Sequence, residues 1–399
     1  MQLLIIAGGD SSRMRPLTTQ KSIFPFLGKP FIIHVLSNLQ SLTPSAVVVV
    51  GSPTVKTELE RALPKDIQLV IQEEARGMAD AVVSAKNKLS KNDGTLVVNL
   101  GLHSKDVVKK VGAAIHSHPT EYVMSAVHVD AYRPGGYFTT ANGRVTGISE
   151  KPGEKNMPSS AYKLVFDYFP DTHKLVEMMA HTTSDRDDVY EQALEKMLHE
   201  HPAILVETAA THPSFKYPPS VLTVMDELLD QALVPGIDGT ASIAPTAVVS
   251  GDRVQIAEGA RILDHATVKG PCYIGKNVVV GNGALVRNST VEEGSEVGYN
   301  SEIARSYIGP HTKCHTSYVG DSVVEGESNL AAGTVTANLR FDEKNIIVHL
   351  PSGPYDTGKR KFGAILARGA KTGIHASLMP GKVVTPGEIV GTWDVKEKG

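Results

Sequence analysis

The sequence predicts two parts, an α/β domain over residues 1–232 and a left-handed parallel β-helix over residues 241–399, joined by a linker at 233–240. From Ile256 an aliphatic residue returns at every sixth position, a period that neither an α-helix nor an ordinary strand produces. This period is typical of a coil with three short faces, whose inward residues stack from turn to turn. Glycines 275 and 281 follow two of these positions, where the chain turns a corner tightly. The repeating positions are Ile256, Ile262, Val268, Ile274, Val280 and Val286 and then, after a shift of phase, Val291, Val297, Ile303 and Ile308.

The first part alternates short apolar runs with amphipathic segments. Buried strands are predicted at Leu3–Ile6, Ala46–Val50, Gln68–Ile71 and Leu96–Leu100, and helices at Phe31–Leu42, Met78–Leu89 and Ser220–Ala232. This alternation predicts an α/β layer around a largely parallel sheet. The Pro- and Gly-containing stretch "VPGIDG" after the last helix predicts the linker.

Length and composition fit two globular domains and exclude several classes of protein. A chain of 399 residues is too long for one ordinary core, and a hydrophobic content of 41% is typical of a globular protein. The formal charge of -3 argues against a nucleic-acid partner. The two cysteines, Cys272 and Cys314, indicate a reducing compartment without a disulfide framework. Because no apolar run suits a signal peptide or a membrane span, we expect a cytoplasmic protein.

A glycine-rich turn, Gly8 to Arg13, follows the first predicted strand. Its N–H groups can approach phosphate oxygens, and Arg13 and Lys21 add positive charge, although a tight turn with solvated arginines fits equally well. The longer string "AGGDSSRMRPLTTQKSIFPFLGKP" resembles the signature of the sugar-1-phosphate nucleotidyltransferases, Rossmann-like domains that join a nucleoside triphosphate to a sugar 1-phosphate. The resemblance implies that Gly9, Arg13 and Lys21 hold the triphosphate. It also implies that Gln72 and Gly77, in "IQEEARGMADAV", read the base.

The metal-binding positions of that family are altered in this chain. The family places one aspartate after a glycine at the end of a strand, and a second one before the last helix; these positions are Leu102 and Ser214 here. Mg²⁺ prefers carboxylate oxygens, and leucine offers none. Losing such preorganised charge costs about 10²-fold or more per group. We therefore expect no metal site and a weak or inactive domain, with Mg²⁺ required only if the domain turns over.

The segment "HTKCHTSYVGDSVVEGESNLAAGTVTANLRFDEKN", residues 311–345, carries the most specific resemblance. It resembles the acetyltransferase half of the bifunctional sugar-1-phosphate nucleotidylyltransferase/acetyltransferases, and the archaeal type of that family is similar to the whole chain. The resemblance implies that His315 is the catalytic base. It implies further that the sugar phosphate is held by Tyr318, Asn329, Asn338 and Lys344, with Arg305 standing in for a lysine of the family.

These residue types suit transfer of an acetyl group from acetyl-CoA to an amine. The acceptor ammonium must lose a proton before it attacks a thioester, and histidine is the side chain suited to that exchange near neutral pH. Backbone N–H groups around Ala331, Ala332 and Gly333 are expected to hold the oxyanion, and small residues such as Ala332 and Ser377 to line the acetyl-CoA channel. Cys314 precedes the base, but neighbours on a strand face opposite ways, which predicts a packing role.

The six-residue period breaks between Asn338 and Gly363. A loop that leaves a coil often carries function, and its Lys359, Arg360 and Lys361 are either contacts for phosphates or a solvated basic turn. The resemblance implies a homotrimer or a multiple of it. Three functions stay open: an amino-sugar-1-phosphate N-acetyltransferase with a degenerate first domain, a fully bifunctional enzyme that also makes a UDP- or dTDP-sugar, and a non-catalytic regulatory or scaffold protein. The acceptor is glucosamine 1-phosphate or galactosamine 1-phosphate, which differ at one hydroxyl.

Overall fold

The computed structural model describes residues 1–74, 76–186, 188–209 and 215–396, which form two compact units. The first unit comprises Met1–Asp10 and Ile32–His212, and the second comprises Ser11–Phe31 and Pro213–Gly399. The second unit thus includes the segment Ser11–Phe31 and the residues from Pro213 to Ala232, which were predicted to belong to the α/β domain. Within the described residues we find no helix with the length and apolar character of a membrane span.

The first unit is built on a nine-stranded sheet with helices against it. In spatial order its strands are Gln68–Ile71, Val47–Gly51, Gln2–Ile6, Thr95–Asn99, Ala161–Phe169, Val123–His128, Ala203–Thr208, Arg144–Glu150 and Gly136–Ala141. Its helices are Lys56–Ala62, Met78–Ser84, Lys105–Ser117, Thr172–His181 and Val189–Glu200, and Phe31–Leu39 begins at the border with the second unit. The predicted strands and helices are confirmed, with shifted ends.

The sheet is less parallel than predicted. The four strands from Gln68–Ile71 to Thr95–Asn99 are parallel, but Ala161–Phe169 pairs antiparallel with both of its neighbours. The two edge strands form a hairpin whose turn, Asn142-Gly143, has φ angles of 52° and 75°. Two successive positive φ angles give a turn that only an antiparallel pair accommodates. The hydrophobic pattern alone does not reveal strand direction.

The second unit is a three-faced coil of short parallel strands, which confirms the predicted β-helix. The first face is an eight-stranded sheet: Ser242–Ile243, Arg261–Ile262, Val279–Val280, Glu296–Val297, Lys313–Cys314, Asn329–Leu330, Lys371–Thr372 and Ile389–Val390. The second face holds Val248–Ser250, Thr267–Ile274, Leu285–Val291, Glu302–Ala304, Tyr318–Gly320, Val335–Thr336, Ser377–Leu378 and Val395–Lys396. The third face holds Gly236–Ile237, Val254–Ile256, Tyr307–Ile308, Val323–Val324, Ile365–Leu366 and Val383–Val384, plus the second halves of Thr267–Ile274 and Leu285–Val291.

The predicted repeat positions form the core of the coil. All ten aliphatic residues from Ile256 to Ile308 are at most 1% exposed and belong to one hydrophobic cluster. Cys314 continues the inward column and is fully buried, as its packing role predicts. Burial raises the pKa of the Cys314 thiol to about 12, so it stays protonated at neutral pH.

The third face is covered by other segments of the second unit. Its outward residues Tyr273, Thr290 and Tyr307 are at most 4% exposed. The helix Ser220–Gln231 packs on this face, together with the segment Ser11–Phe31, which includes the short strands Pro25–Phe26 and Lys29–Pro30. The break in the period forms a separate hairpin, Ile347–Leu350 paired with Gly353–Asp356.

Candidate active site

His315 stands at a corner of the coil, directly after the first-face strand Lys313–Cys314. Its side chain is exposed, and Nε2 lies 3.1 Å from Oδ1 of Asn329, an outward residue of the next turn. When Nε2–H donates to Asn329, Nδ1 carries the lone pair that a general base needs. The structure thus brings together the predicted base and one of the predicted sugar-binding residues.

A carboxylate joins three further predicted residues. Asp321 accepts hydrogen bonds from Arg305, whose Nε and Nη2 lie 2.7 Å from its two oxygens. Its Oδ2 also accepts from Nδ2 of Asn338 at 2.5 Å, and that Nδ2 lies 3.3 Å from Oη of Tyr318. A bidentate pair with a planar carboxylate fixes the guanidinium in one orientation. Because Arg305 donates these hydrogen bonds to Asp321, its pKa is raised above the ordinary value.

Asp321 was missed by the sequence reasoning, although one signal for it exists. Arg305 and Asp321 are separated by one turn of the coil, and both adopt the same left-handed corner, with φ angles of 49° and 48°. Residues one turn apart at the same corner stack on one another, so the pair is predictable once the register is known. Because Asp321 balances the charge of Arg305, this arginine offers a phosphate less net charge than an unpaired lysine would.

Of the N–H groups of Ala331, Ala332 and Gly333, two already donate hydrogen bonds within the coil. The N–H of Ala331 donates to Oγ1 of Thr372 at 3.1 Å, and that of Gly333 donates to the carbonyl of Thr316 at 3.1 Å. Each of these two N–H groups therefore already has an acceptor within the coil. Of the three, only the N–H of Ala332 has no partner among the described residues, and this residue is exposed.

The outward column of the second face contains one residue predicted to bind the sugar, Tyr318, and one predicted to line the acetyl-CoA channel, Ser377. Tyr318, Val335 and Ser377 occupy the same position on three successive turns. Adjacent strands lie about 4.8 Å apart, so Tyr318 and Ser377 are separated by roughly 10 Å along the coil. Ala332 and Ser377 remain predictions for the acetyl-CoA channel.

The basic residues of the excursion at 338–363 differ in their surroundings. Arg360 forms an ion pair with Glu343, and its Nε donates to the carbonyl of Glu343 at 3.1 Å. This arginine is thus engaged within the excursion. Lys344 is exposed and donates its backbone N–H to Asp342 at 3.3 Å. The structure does not bring the Lys344 side chain into the Asp321 cluster.

In the first unit, Gln72 and Gly77 are brought together. Gln72 is 4% exposed, and its Nε2 donates to the carbonyl of Gly77 at 3.1 Å and to Asp80 at 2.8 Å. A Cβ at Gly8 would lie 2.9 Å from Oε1 of Gln72, whereas nothing lies within 4 Å of one at Gly9. Close packing therefore favours glycine at position 8. Position 9, where the predicted phosphate residue Gly9 lies, is exposed and has room for a side chain. Gly77 has a φ of 90°, which favours glycine.

The other two predicted phosphate residues belong to the second unit. Arg13 lies in the short 3-10 helix Ser12–Met14 and is exposed. Lys21 begins the 3-10 helix Lys21–Ile23, and its N–H donates to Oγ of Ser11 at 3.1 Å. Ser11 has a φ of 54°, in the left-handed region.

The loop after Thr95–Asn99 does not fit a metal ion. Leu102, at the position of the expected aspartate, is 6% exposed and offers no oxygen ligand. Asn38 brackets the next residue with two hydrogen bonds of 3.0 Å to the backbone of His103, which fixes the loop without a metal. Ser214 lies outside the described residues. Within the described ranges, no group of three His, Cys, Asp or Glu side chains is placed to hold an ion.

Comparison with known families identifies the class of this protein. Residues 2–208 match the family described as nucleotidyl transferase, and residues 253–288 match the bacterial transferase hexapeptide family of six repeats. These matches define a nucleotidyltransferase-type domain fused to a hexapeptide coil.

Full-length relatives narrow the class further. The chain is 30% identical to "Bifunctional protein GlmU" of Methanococcus maripaludis, over 98% of this chain and 93% of the relative. It is 28% identical to "Bifunctional sugar-1-phosphate nucleotidylyltransferase/acetyltransferase" of Sulfurisphaera tokodaii, over 96% of this chain and 93% of the relative. For the GlmU protein of Methanocaldococcus jannaschii the identity is 29%, over 96% and 91%. The chain belongs to this bifunctional nucleotidylyltransferase/acetyltransferase family, which confirms the resemblance seen in the sequence.

Proposed function

We propose that the coil transfers the acetyl group of acetyl-CoA to the amine of an amino-sugar 1-phosphate, either glucosamine 1-phosphate or galactosamine 1-phosphate. The observation that carries the proposal is the contact of 3.1 Å between His315 Nε2 and Asn329 Oδ1, on an exposed corner three residues before Tyr318. This arrangement holds an imidazole ring in place and leaves one ring nitrogen for proton transfer.

The chemistry follows from these groups. Nδ1 of His315 accepts a proton from the substrate ammonium, and the free amine attacks the thioester carbonyl, forming the C–N bond. The N–H of Ala332 is the available donor for the oxyanion that develops on the carbonyl oxygen. The C–S bond then breaks and the attacking nitrogen loses its second proton to solvent. The departing coenzyme A sulfur takes the proton of the imidazolium, which regenerates the neutral imidazole.

The Asp321 cluster suits the sugar phosphate. Oη of Tyr318 and the amide of Asn338 can pair with hydroxyls, and Nη1 of Arg305, which the Asp321 contacts do not use, can donate to a phosphate oxygen. Lys344 lies outside this cluster, and its place in the sugar site rests on the family resemblance alone. Asp321 orients Arg305 and Asn338 without touching the substrate.

We also propose a cytoplasmic homotrimer or a multiple of it, with sites completed between subunits. Exposed apolar residues of the second face support an assembly, since Val335 is 40% exposed and Val395 is 50% exposed. Such residues in an outward column are more typical of an interface than of a solvated surface.

For the first domain we propose weak or absent nucleotidyl transfer, on the ground that Leu102 offers a metal ion no ligand. A fully bifunctional enzyme that makes a UDP- or dTDP-sugar is equally well supported, because the relatives aligned over 96–98% of this chain carry the word "bifunctional" in their names. Release of pyrophosphate from a nucleoside triphosphate and a sugar 1-phosphate, with and without Mg²⁺, separates the two. Metal-dependent release refutes the inactive domain.

The test of acetyl transfer is release of the coenzyme A thiol from acetyl-CoA with glucosamine 1-phosphate, galactosamine 1-phosphate or no acceptor. His315→Ala should abolish acceptor-dependent release while the size of the assembly stays unchanged. The matched control is His311→Ala, which removes another exposed histidine of the same stretch of coil and should leave the rate within about twofold. Wild-type protein without acceptor-dependent release would favour the non-catalytic scaffold, and an active His315→Ala variant would overturn the assignment of the base.

A further inference from the structure

Two buried glutamates stand out at one corner of the coil. The corner that follows the third face carries Gly275, Glu292, Gly309, Glu325 and Ala367 on successive turns. Glu292 and Glu325 are each 1% exposed. A buried carboxylate is costly unless it is well hydrogen-bonded, and a coil with an apolar interior has no need of one at its corners. The other members of this corner are glycine and alanine, so these two side chains require a reason of their own.

Glu325 receives a compact set of donors from Thr18 and Thr19. Its Oε1 accepts the N–H of Thr18 at 2.8 Å and that of Thr19 at 2.6 Å, and also both hydroxyls, at 2.9 and 2.7 Å. Its Oε2 accepts the N–H of Arg368 at 2.9 Å. Nη2 of Arg368 donates to Oγ1 of Thr19 at 3.0 Å, which ties the threonine to the coil a second time.

Glu292 accepts hydrogen bonds from the other end of the segment Ser11–Phe31. Its two oxygens accept the N–H groups of Leu27 and Gly28, both at 2.9 Å. The φ angles of these residues are 48° and 72°, a conformation that points two successive N–H groups at one anion. A Cβ at residue 28 would collide with the hydroxyl of the buried Tyr273, and the φ of 72° also favours glycine at this position.

Between these two points the segment is packed on the third face. Phe24 and Phe26 lie 5.2 and 5.5 Å from the ring of Tyr307, whose hydroxyl donates to the carbonyl of Pro25 at 2.8 Å. Phe215 packs edge-on against both phenylalanines. The stretch from Thr18 to Gly28 is therefore fixed at both ends by carboxylates and in the middle by aromatic packing.

Lys21, which the family signature assigns to the triphosphate, lies inside this fixed stretch. We infer that Glu292 and Glu325 are positioning residues for phosphate binding: they hold Thr18–Gly28 on the coil and so set the place of Lys21. The inference rests on the proposal that this protein binds a nucleoside triphosphate through Arg13 and Lys21, as the family resemblance implies, whether or not the first domain turns over. Neither glutamate is expected to touch the ligand, because a carboxylate repels phosphate and both side chains already accept hydrogen bonds from backbone N–H groups. The coil thus serves phosphate binding as well as acetyl transfer.

The test measures binding of inorganic tripolyphosphate and of UTP to the full chain by calorimetry. Tripolyphosphate reports on the phosphate contacts without any contribution from the base. Glu325→Ala should raise the dissociation constant roughly tenfold to hundredfold, because a displacement of about 1 Å is enough for such losses. Glu325→Gln keeps one acceptor for the threonine donors and should recover most of the affinity. Glu293→Gln removes an exposed neighbouring carboxylate and should have no effect.

A second readout separates positioning from general damage. Hydrogen exchange of peptides that span Thr18–Gly28 should accelerate in Glu325→Ala and in Glu292→Ala, while peptides from the inward column of the coil keep their protection. Unchanged binding and unchanged exchange in both alanine variants would overturn the inference. Loss of protection throughout the coil would also overturn it, because the glutamates would then be general stability residues.

Lys21→Ala distinguishes failure of this inference from failure of nucleotide binding. If Lys21→Ala weakens tripolyphosphate binding and Glu325→Ala does not, the positioning role is wrong and the phosphate role of Lys21 stands. If the wild type binds neither tripolyphosphate nor UTP, the nucleotide-binding proposal fails and the inference falls with it.

Discussion

Replacing Asp321 by asparagine removes the negative charge at the centre of the candidate sugar site while it keeps the shape of the side chain. The carboxylate holds two hydrogen bonds of 2.7 Å from Arg305 and one of 2.5 Å from Asn338. An asparagine has one acceptor and one donor group, so at least one of the present donors must face an N–H. We expect Arg305 and Asn338 to lose their common orientation.

The size of the effect follows from the kind of hydrogen bond lost. Hydrogen bonds to charged groups contribute about 1.5–3 kcal/mol, and the lower half of that range applies where solvent screens the pair. The Arg305 side chain is 34% exposed, so we take a loss of about 1.5–2 kcal/mol. At about 1.4 kcal/mol per factor of ten, this corresponds to a decrease of roughly 10- to 30-fold in kcat/KM for the amino-sugar phosphate.

The assay is thiol release at saturating acetyl-CoA with varied glucosamine 1-phosphate. The KM for acetyl-CoA should stay unchanged, because Asp321 acts on the sugar side. The control is Glu302→Gln, which breaks the pair between Arg287 and Glu302, at 2.7 Å, one turn earlier on the same face. An Asp321→Asn enzyme within about twofold of wild type, or an equal loss in Glu302→Gln, would refute the reasoning.

Three further predictions follow from the described residues. Burial raises the pKa of Glu292 from 4.5 to about 7, although the hydrogen bonds from Gly28 and Leu27 lower it. Between pH 4.5 and 7 the folded protein therefore keeps a proton on this carboxyl group, whereas the unfolded chain has released it. The free energy of unfolding should therefore fall by about 3 kcal/mol as the pH rises from about 4.5 to 7, and urea unfolding of Glu292→Gln should lack this slope. Burial also raises the pKa of Cys272 to about 11 and that of Cys314 to about 12, so neither thiol should react with a disulfide reagent at pH 8 until denaturant is added. Leu102→Asp, compared with Leu102→Asn, should raise Mg²⁺-dependent pyrophosphate release by up to about 10²-fold, and no gain over the asparagine control would show that this leucine does not limit the reaction.

The coil was predictable because one class of residue, the aliphatic side chains, marks its six-residue period. The inward positions from Ile256 to Leu330 are all apolar, so Ile256 and its successors reveal the register without knowledge of any contact. The phase shift at Val291 arises because the first-face strands at Arg261 and Val279 are 18 residues apart, whereas those at Val279 and Glu296 are 17 apart, and the pattern shows this directly. The sequence therefore indicates the fold wherever one residue type suffices to mark a position.

The candidate site was predictable only in part. His315 and Asn329 are close because residues about one turn apart stack, and their spacing is visible in the sequence. Asp321 was missed because its role depends on the corner that it shares with Arg305, which the hydrophobic period does not mark. The grouping of Ser11–Phe31 with the coil was missed for a related reason. Its anchors, Glu292 and Glu325, lie more than 260 residues away in sequence, where they have no local signal.

The most direct test of the central claim is identification of the product. We would incubate the full-length protein with acetyl-CoA and ¹⁵N-labelled glucosamine 1-phosphate or galactosamine 1-phosphate, without any nucleotide, and follow the amide signal by NMR. The account predicts that an N-acetylated sugar phosphate forms with the wild type and not with His315→Ala. Absence of the amide product with both acceptors, or its formation by the His315→Ala variant, would contradict it.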